Sequence, residues 1–443
     1  MQHFNTIKSG SSHRPWGRGE RFERLRQRSW SVLVVCCALV GATASSPTWA
    51  DGAKLSNLPP TPNADDRVNY LKWINDNYRV SAEDDASPIY LDACRKIVRH
   101  SPRQERRMGM DSLLRENAES LKLLETASHR SDCFIPFVPL MDEFVERPFG
   151  EQAIQSRMLQ LLELVERRVA NHLEAGRITE AIEDVGLLVR IGNHRFCQPS
   201  ALDYLQAVRG MQLMCDVIED VVERLQKPDQ ATQLLAAIQP FDEQALLHPQ
   251  LETELAKTYH RLQYHLKDTN GDGKLDAWIF RREKFNLETP MTHEEAADAV
   301  TANYHRWTTL IQEGANRKAL TQAEDFGDQL DRAESAFDEF SFPRIDTILP
   351  ARAESVALYR GVVLGAATRL HFLQERQWPD TIEMVRKRVP WLGTGDPFAD
   401  SGDLRLATRE GKPVLYSVGR NGKDDDGRAD ARGKGDMILW KAE

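Results

Sequence analysis

The sequence predicts a mainly α fold: a helical-hairpin, tetratricopeptide-like body with a small C-terminal α+β module of short antiparallel strands. Three observations carry that reading. Apolar residues recur every three or four positions through most of 67–343, the period of an amphipathic helix. The stretch 152–191 reads as two such helices around Gly176-Arg177. Beyond residue 376, Gly, Asp and Pro separate short apolar runs, the pattern of strands and turns.

Residues 1–50 read as a signal peptide. Lys8 and six arginines stand against Glu20 and Glu23, a net +5, and the apolar run Val32–Ala42 follows. That order is a basic n-region and an h-region, and the run falls short of the ~20 apolar residues of a membrane span. Small residues then offer cleavage after Ala50 or, alternatively, after Ala44. This predicts a periplasmic or secreted protein with no membrane segment after cleavage. Of six cysteines, Cys36 and Cys37 would leave with the signal. Cys94, Cys133, Cys197 and Cys215 would remain, free to pair in three ways or to sit as buried thiols.

Residues 51–66 are rich in Pro, Asn and Asp and read as a linker before the body at 67–343. In the body, Val68, Leu71 and Ile74 mark the first helical stripe. Ile89, Ala93, Ile97 and Val98 mark a second, with Pro88 near its first turn. Leu121, Leu123 and Leu124 sit in a third. Met158, Leu161, Leu162, Val165 and Val169 then form one face of the hairpin, whose second helix runs from Ile178 to Ile191. Gly176 suits the left-handed position after a helix end, and the small Ala181 permits close helix approach. One such unit is visible, where a stacked repeat array needs about three.

Further helices are expected at 200–226, 229–238 and 242–266, punctuated by Pro228 and Pro240. A loop is expected at 267–290. Thr292-His293-Glu294-Glu295 is a capping-box signature, followed by Ala296, Val300, Tyr304, Trp307 and Leu310 at helical spacing. Helices at 320–340 and 351–376 complete the series, with Pro343 and Pro350 bracketing the connector between them. Leu404–Leu406, Val414–Tyr416 and Met437–Trp440 are the expected strands of the module at 344–443.

Charge narrows the function. The formal net charge is −9; with +5 in the first fifty residues, the rest of the chain carries −14. A nucleic-acid partner is disfavoured, since phosphate binding needs a positive surface. No GxSxG, Walker or dinucleotide glycine pattern occurs, and His293-Glu294-Glu295 lacks the second His of HExxH.

Part of the negative charge gathers in two Asp/Gly loops. The first, within 268–279, runs Asp268-Thr269-Asn270-Gly271-Asp272-Gly273-Lys274-Leu275-Asp276. Asp268, Asn270, Asp272 and Asp276 fall at positions 1, 3, 5 and 9 of an EF-hand-type loop, and the Lys274 carbonyl falls at position 7. Calcium takes six to eight oxygens, which alternate residues of a tight turn can point inward. Position 12, normally a bidentate Glu, is Ile279, leaving Glu283 as the carboxylate that would have to reach back. The second loop holds Asn421, Asp424, Asp425, Asp426, Asp430 and Asp436 among glycines, charges that repel unless a cation or solvent screens them. Structural calcium is the expected cofactor of both.

The tail also resembles a known family. Trp378-Pro379-Asp380, then Val389-Pro390-Trp391, Asp396-Pro397-Phe398, Tyr416-Ser417-Val418-Gly419, the 421–427 loop and Asp436-Met437-Ile438-Leu439-Trp440 follow one another in the order of the C-terminal domain of type II secretion major pseudopilins. The resemblance implies that Asn421 and Asp436 lie at or near calcium-loop ligand positions, with Asn421 in place of an acidic residue. The other end departs from it: Gly19 is followed by Glu20-Arg21-Phe22-Glu23, not by a long apolar helix, so a pilin-like fibre role is not carried over. The same tail, with Asp84-Asp85-Ala86-Ser87-Pro88-Ile89-Tyr90 near the start, is similar to exported bacterial proteins that join it to a helical body, a resemblance that brings no activity. The expected function is a non-catalytic interaction or structural protein with a protein partner in the cell envelope. The alternatives are a component of a secretion or cell-surface assembly and an exported hydrolase.

Overall fold

The computed structural model describes residues 58–62, 68–105, 107–141, 144–146, 151–247, 252–280, 283–313, 316–331, 345–429 and 435–442. The signal peptide at 1–50, most of the linker and the 343/344 boundary lie outside them, as does Asp430. The fold is mainly helical, with a three-stranded antiparallel sheet of short strands near the C-terminus.

The first helices are α1 (Tyr70–Asn77), α2 (Ser87–Lys96), α3 (Pro102–Glu105), α4 (Met110–Glu116) and α5 (Ala118–Ser128). Polar residues ahead of the first two fix where they start. Asn69 caps α1 by accepting the Lys72 N–H at 2.9 Å. Asp85 accepts the Ser87 N–H at 2.8 Å and hydroxyl at 2.7 Å. Pro88 in the first turn of α2 and Arg95 and Lys96 in its last suit the helix ends and dipole.

The hairpin follows as α6 (Glu151–Glu174) and α7 (Ile178–Phe196). Gly176 sits at φ +71° between them, and the Arg177 N–H closes on the His172 carbonyl at 2.8 Å, a left-handed helix end of the type Gly allows. Leu161, Val165 and Val169 of α6 and Ala181, Val185 and Ile191 of α7 are all at or below 1% exposure. The predicted stripe is therefore the packed face.

Ser200 caps α8 (Ala201–Arg224), and Pro228 opens α9 (Pro228–Ile238). The region expected as one helix at 242–266 holds α10 (Glu243–Leu247) and α11 (Glu252–His265). The predicted capping box opens α12 (His293–Gln312): the Thr292 hydroxyl accepts the Glu295 N–H at 3.1 Å, and the Glu295 carboxylate accepts the Thr292 N–H at 2.7 Å. Then come α13 (Arg317–Asp331), α14 (Ile345–Glu375) and α15 (Ile382–Arg386).

The expected loop at 267–290 is instead a sheet, β3 (Leu266–Lys267), β4 (Leu275–Phe280) and β5 (Glu283–Met291), in that order. The Asp/Gly loop is the turn between β3 and β4, and Phe285, opposite Trp278, is in the ladder. Another strand pair, β1 (Val138–Met141) and β2 (Phe144–Glu146), precedes the hairpin.

Helix α14 packs against α8, α9 and α13 and against β7 and β8 of the C-terminal sheet, β6 (Arg405–Arg409), β7 (Lys412–Ser417) and β8 (Met437–Lys441). It begins before Pro350 and runs through it. Ile348 and Leu349, both fully buried, give the turn around the proline an apolar footing that offsets its missing N–H. In that sheet β7 is central and both pairings are antiparallel. Gly361 and Gly365 let β8 approach α14: a Cβ at either would stand 2.3 Å from the Leu439 Cβ or 2.6 Å from the Trp440 Cγ. No helix among the described residues is long and apolar enough to cross a membrane.

Candidate cation-binding loops

The first loop is closed by its own hydrogen bonds. Asp268 Oδ1 accepts the N–H groups of Asn270 (3.1 Å) and Gly271 (2.6 Å), and Oδ2 accepts that of Gly273 (2.8 Å). The Gly273 N–H contributes most to holding the Asp268 carboxyl below the usual carboxylate range. Asp272 Oδ1 takes the Lys274 N–H at 2.9 Å. Asp276 turns back onto Thr269, accepting its N–H and hydroxyl at 2.7 Å each. Gly271 at φ +76° and Gly273 at φ +83° supply the bends. A strand, not a helix, follows the loop. Ile279 lies in β4, and Glu283 pairs with Phe280 at the far end of the β4–β5 hairpin. At about 3.4 Å per residue along a strand, Glu283 stands too far from Asp268 to reach back. Asn270, Asp272 and the Lys274 backbone remain on the exposed turn.

The second loop runs from the end of β7 to the start of β8. Gly419, at φ +63°, faces the Gly435 carbonyl so closely that a Cβ there would lie 2.6 Å from that oxygen. Asn421 caps the turn by accepting the Lys423 N–H at 2.8 Å, and its amide donates to Asp425 Oδ2 at 2.9 Å. Asp424 Oδ1 accepts the Tyr416 hydroxyl at 3.2 Å and the Asp426 N–H at 3.0 Å, and Oδ2 stands 2.8 Å from Arg405 Nη1. Asp426 is exposed at φ +57°, and its carbonyl accepts from Arg409 at 2.5 Å.

Asp436 is different in kind. It is 2% exposed. Its Oδ2 accepts the N–H groups of Asp425 (3.0 Å) and Gly427 (2.5 Å), while Oδ1 is buried with no hydrogen-bond partner among the described residues. Burial foremost, then the charges of Asp424 and Asp425, push its carboxyl above the usual range against those two N–H donors. An anionic oxygen left without a donor in such a place costs free energy that a cation would recover. The donor chemistry here therefore fits a hard cation. In the first loop, both oxygens of Asp268 and of Asp276 already have protein donors.

Among the described residues, no group of three or more His, Cys, Asp or Glu side chains converges as a metal cage. Calcium is not bound to that requirement, because backbone carbonyls and waters supply several of its ligands. Sequence reasoning passed over the basic and aromatic partners of Asp424. Arg405 and Tyr416 are direct neighbours across the β6–β7 pair, so they share a face. The alternation of the two strands carried that signal.

Away from the loops, buried polar groups tie helices together. Tyr90 Oη lies 2.8 Å from His194 Nδ1, and His194 Nε2 lies 3.0 Å from the Arg130 carbonyl. A cavity of ≈ 20 Å³ beside them, reached by Cys133, Arg195, Gln198 and Asp203, has room for about one water. Arg352, 1% exposed, donates to the carbonyls of Leu247 (2.9 Å) and Ile311 (2.8 Å). Among the described residues, Cys94, Cys133, Cys197 and Cys215 form no disulfide with one another, and burial raises the thiol of Cys94 to about 11. The chain matches no protein-family model, no curated protein and no solved structure, so its functional reading is built from its own residues.

Proposed function

We propose that the chain is an exported, non-catalytic interaction protein whose C-terminal sheet is stiffened by a calcium ion. The helical body would present its surface to a protein partner in the cell envelope. The observation that carries the reading is the buried Oδ1 of Asp436, without a hydrogen-bond partner among the described residues, in an acidic loop. Asp436 and the neighbouring Asp425 would hold the ion, with Asn421, Asp424 and Asp426 in the same turn. The ion supplies positive charge where carboxylates meet with too few donors. The role is structural: it fixes the loop that joins the antiparallel β7 and β8, and so holds Leu439 and Trp440 on α14. The self-closed turn at 268–276 is secondary in this reading.

Calorimetric titration with calcium chloride tests it, using the wild-type chain, Asp436→Asn and Asp272→Ala. The wild type and Asp272→Ala are expected to saturate at up to millimolar calcium, the range of extracellular modules, and Asp436→Asn is not. A wild-type chain showing no saturable heat at that concentration would remove the proposal. Export is tested separately. Cell fractionation with N-terminal sequencing is expected to return a periplasmic or secreted chain beginning at Asp51 or Ser45, and an intact N-terminus in the cytoplasm would contradict it.

A further inference from the structure

Asp424 is held by two groups on one face of the β6–β7 pair. Arg405 Nη1 lies 2.8 Å from Oδ2, and the Tyr416 hydroxyl donates to Oδ1 at 3.2 Å. Arg405 and Tyr416 are opposite each other in the ladder. Two residues along, and two again, the same strand face brings Arg409 to the loop, where it donates to the Asp426 carbonyl. The Arg317 guanidinium also lies against this loop, at Gly422, where any Cβ would meet it. The acidic loop is thus edged with guanidinium groups from its own chain. Of these, among the described residues, it is Arg405 that forms an ion pair with a loop carboxylate, and that carboxylate lies close enough for its charge to act on Asp436.

We propose that Arg405 is a built-in counter-ion that competes with a divalent cation for Asp424 and thereby lowers the affinity of the loop. The inference rests on the reading that a cation binds beside Asp436. A carboxylate paired with a guanidinium has part of its field already cancelled. A dication at the same carboxylate would face the fixed positive charge of Arg405 at short range. The Arg405 side chain is 36% exposed and that of Asp424 42%, while Nη1 itself is buried and makes no hydrogen bond among the described residues, so its hold on Asp424 is one of charge. Ligand charge is one of the means by which calcium loops set their affinity. Here the effective charge is trimmed by a strand residue outside the loop. Tyr416 takes part through its hydroxyl, while its ring packs 3.2 Å from where a Gly427 Cβ would be.

The experiment is a calcium chloride titration of the full chain followed by calorimetry, comparing wild type, Arg405→Gln, Arg405→Lys and Tyr416→Phe. Exposed ion pairs are modest, so Arg405→Gln is expected to bind calcium about 1.5- to 5-fold more tightly than wild type. Arg405→Lys keeps the charge and is expected to stay within about twofold of wild type. Tyr416→Phe keeps the ring and removes the other group on Asp424, so it is expected to tighten binding as well, and it provides the test should Arg405→Gln not fold. A merely structural role for Arg405 would loosen binding or leave it alone, so unchanged or weaker binding by Arg405→Gln, or by Tyr416→Phe in its place, overturns the inference while the cation site stands. Absence of binding in every form, wild type included, overturns the underlying reading instead.

Discussion

The Asp396 carboxylate joins two segments that are twenty-one residues apart: its Oδ1 accepts the Ser417 hydroxyl at 2.7 Å. The same Oδ1 takes the Phe398 N–H at 3.0 Å, and Oδ2 takes the Val418 N–H at 2.9 Å. Asp396 is 6% exposed and Ser417 fully buried. One side chain therefore closes the Asp-Pro-Phe turn and pins the end of β7. Asp396→Ala should leave buried donors without an acceptor and cost about 2–4 kcal/mol. Urea denaturation measures this, and a midpoint equal to wild type would show that the bridge is dispensable.

The glycines of α14 are expected to be intolerant of even a methyl group. Gly365→Ala would place a Cβ 2.6 Å from the Trp440 Cγ. Overpacking of that kind costs about 1–3 kcal/mol, against a gain of up to ~1 kcal/mol in helix propensity. A fall in melting temperature is the predicted result. A rise would mean that β8 does not lie on this face of the helix.

Glu166 on α6 predicts a pH dependence. Burial, followed by the charges of Glu163, Asp216 and Asp220, raises its carboxyl to about 7. Its folded-state value thus exceeds the ordinary 4.5, and the folded protein binds this proton more tightly than the unfolded chain. The associated stability is complete below about pH 4.5 and is lost as pH rises through about 7. Glu166→Gln should therefore match wild type near pH 4 and exceed it at pH 8 by about 1–3 kcal/mol, partial solvent screening included. Chemical denaturation at the two pH values distinguishes this from a uniform effect.

His194 titrates in the opposite sense. The Arg130 carbonyl can only accept, so Nε2 carries the hydrogen and Nδ1 accepts from Tyr90. Burial lowers the pKa of His194 from the usual 6.5. Its contribution is therefore present above about pH 6.5 and lost as pH falls through the depressed value. Tyr90→Phe should leave Nδ1 without its donor and cost about 1–3 kcal/mol at pH 8, a difference that should narrow once acid protonates Nδ1. Melting curves in a pH series from 8 downward check both statements.

These residues also show how far the sequence could be read. The α6–α7 hairpin, its Gly176 turn, the Thr292 capping box and the three C-terminal strands follow local rules of period and capping. They lie in the chain where those rules put them. The strands flanking the first Asp/Gly loop were hidden. Gly271, Gly273 and Pro290 signal turns strongly, while the ladder that holds Trp278 opposite Phe285 is a tertiary pairing. Pro350 marked a break that buried neighbours overrode. In the second loop, the acidic residues were legible as a list. That Asp436 would be sealed with an oxygen lacking a partner among the described residues depends on β8 folding back beside Gly419, a contact no local pattern announces.

The two glycines under β8 also impose an order on how the protein is made. Gly361 leaves the ribosome well before Leu439, the residue that covers it, and at 5–20 residues per second the gap lasts roughly 4–16 seconds. Until that strand is in place, the small-residue face of α14 lacks its cover, so the step that seats Leu439 and Trp440 is the one that closes this part of the fold.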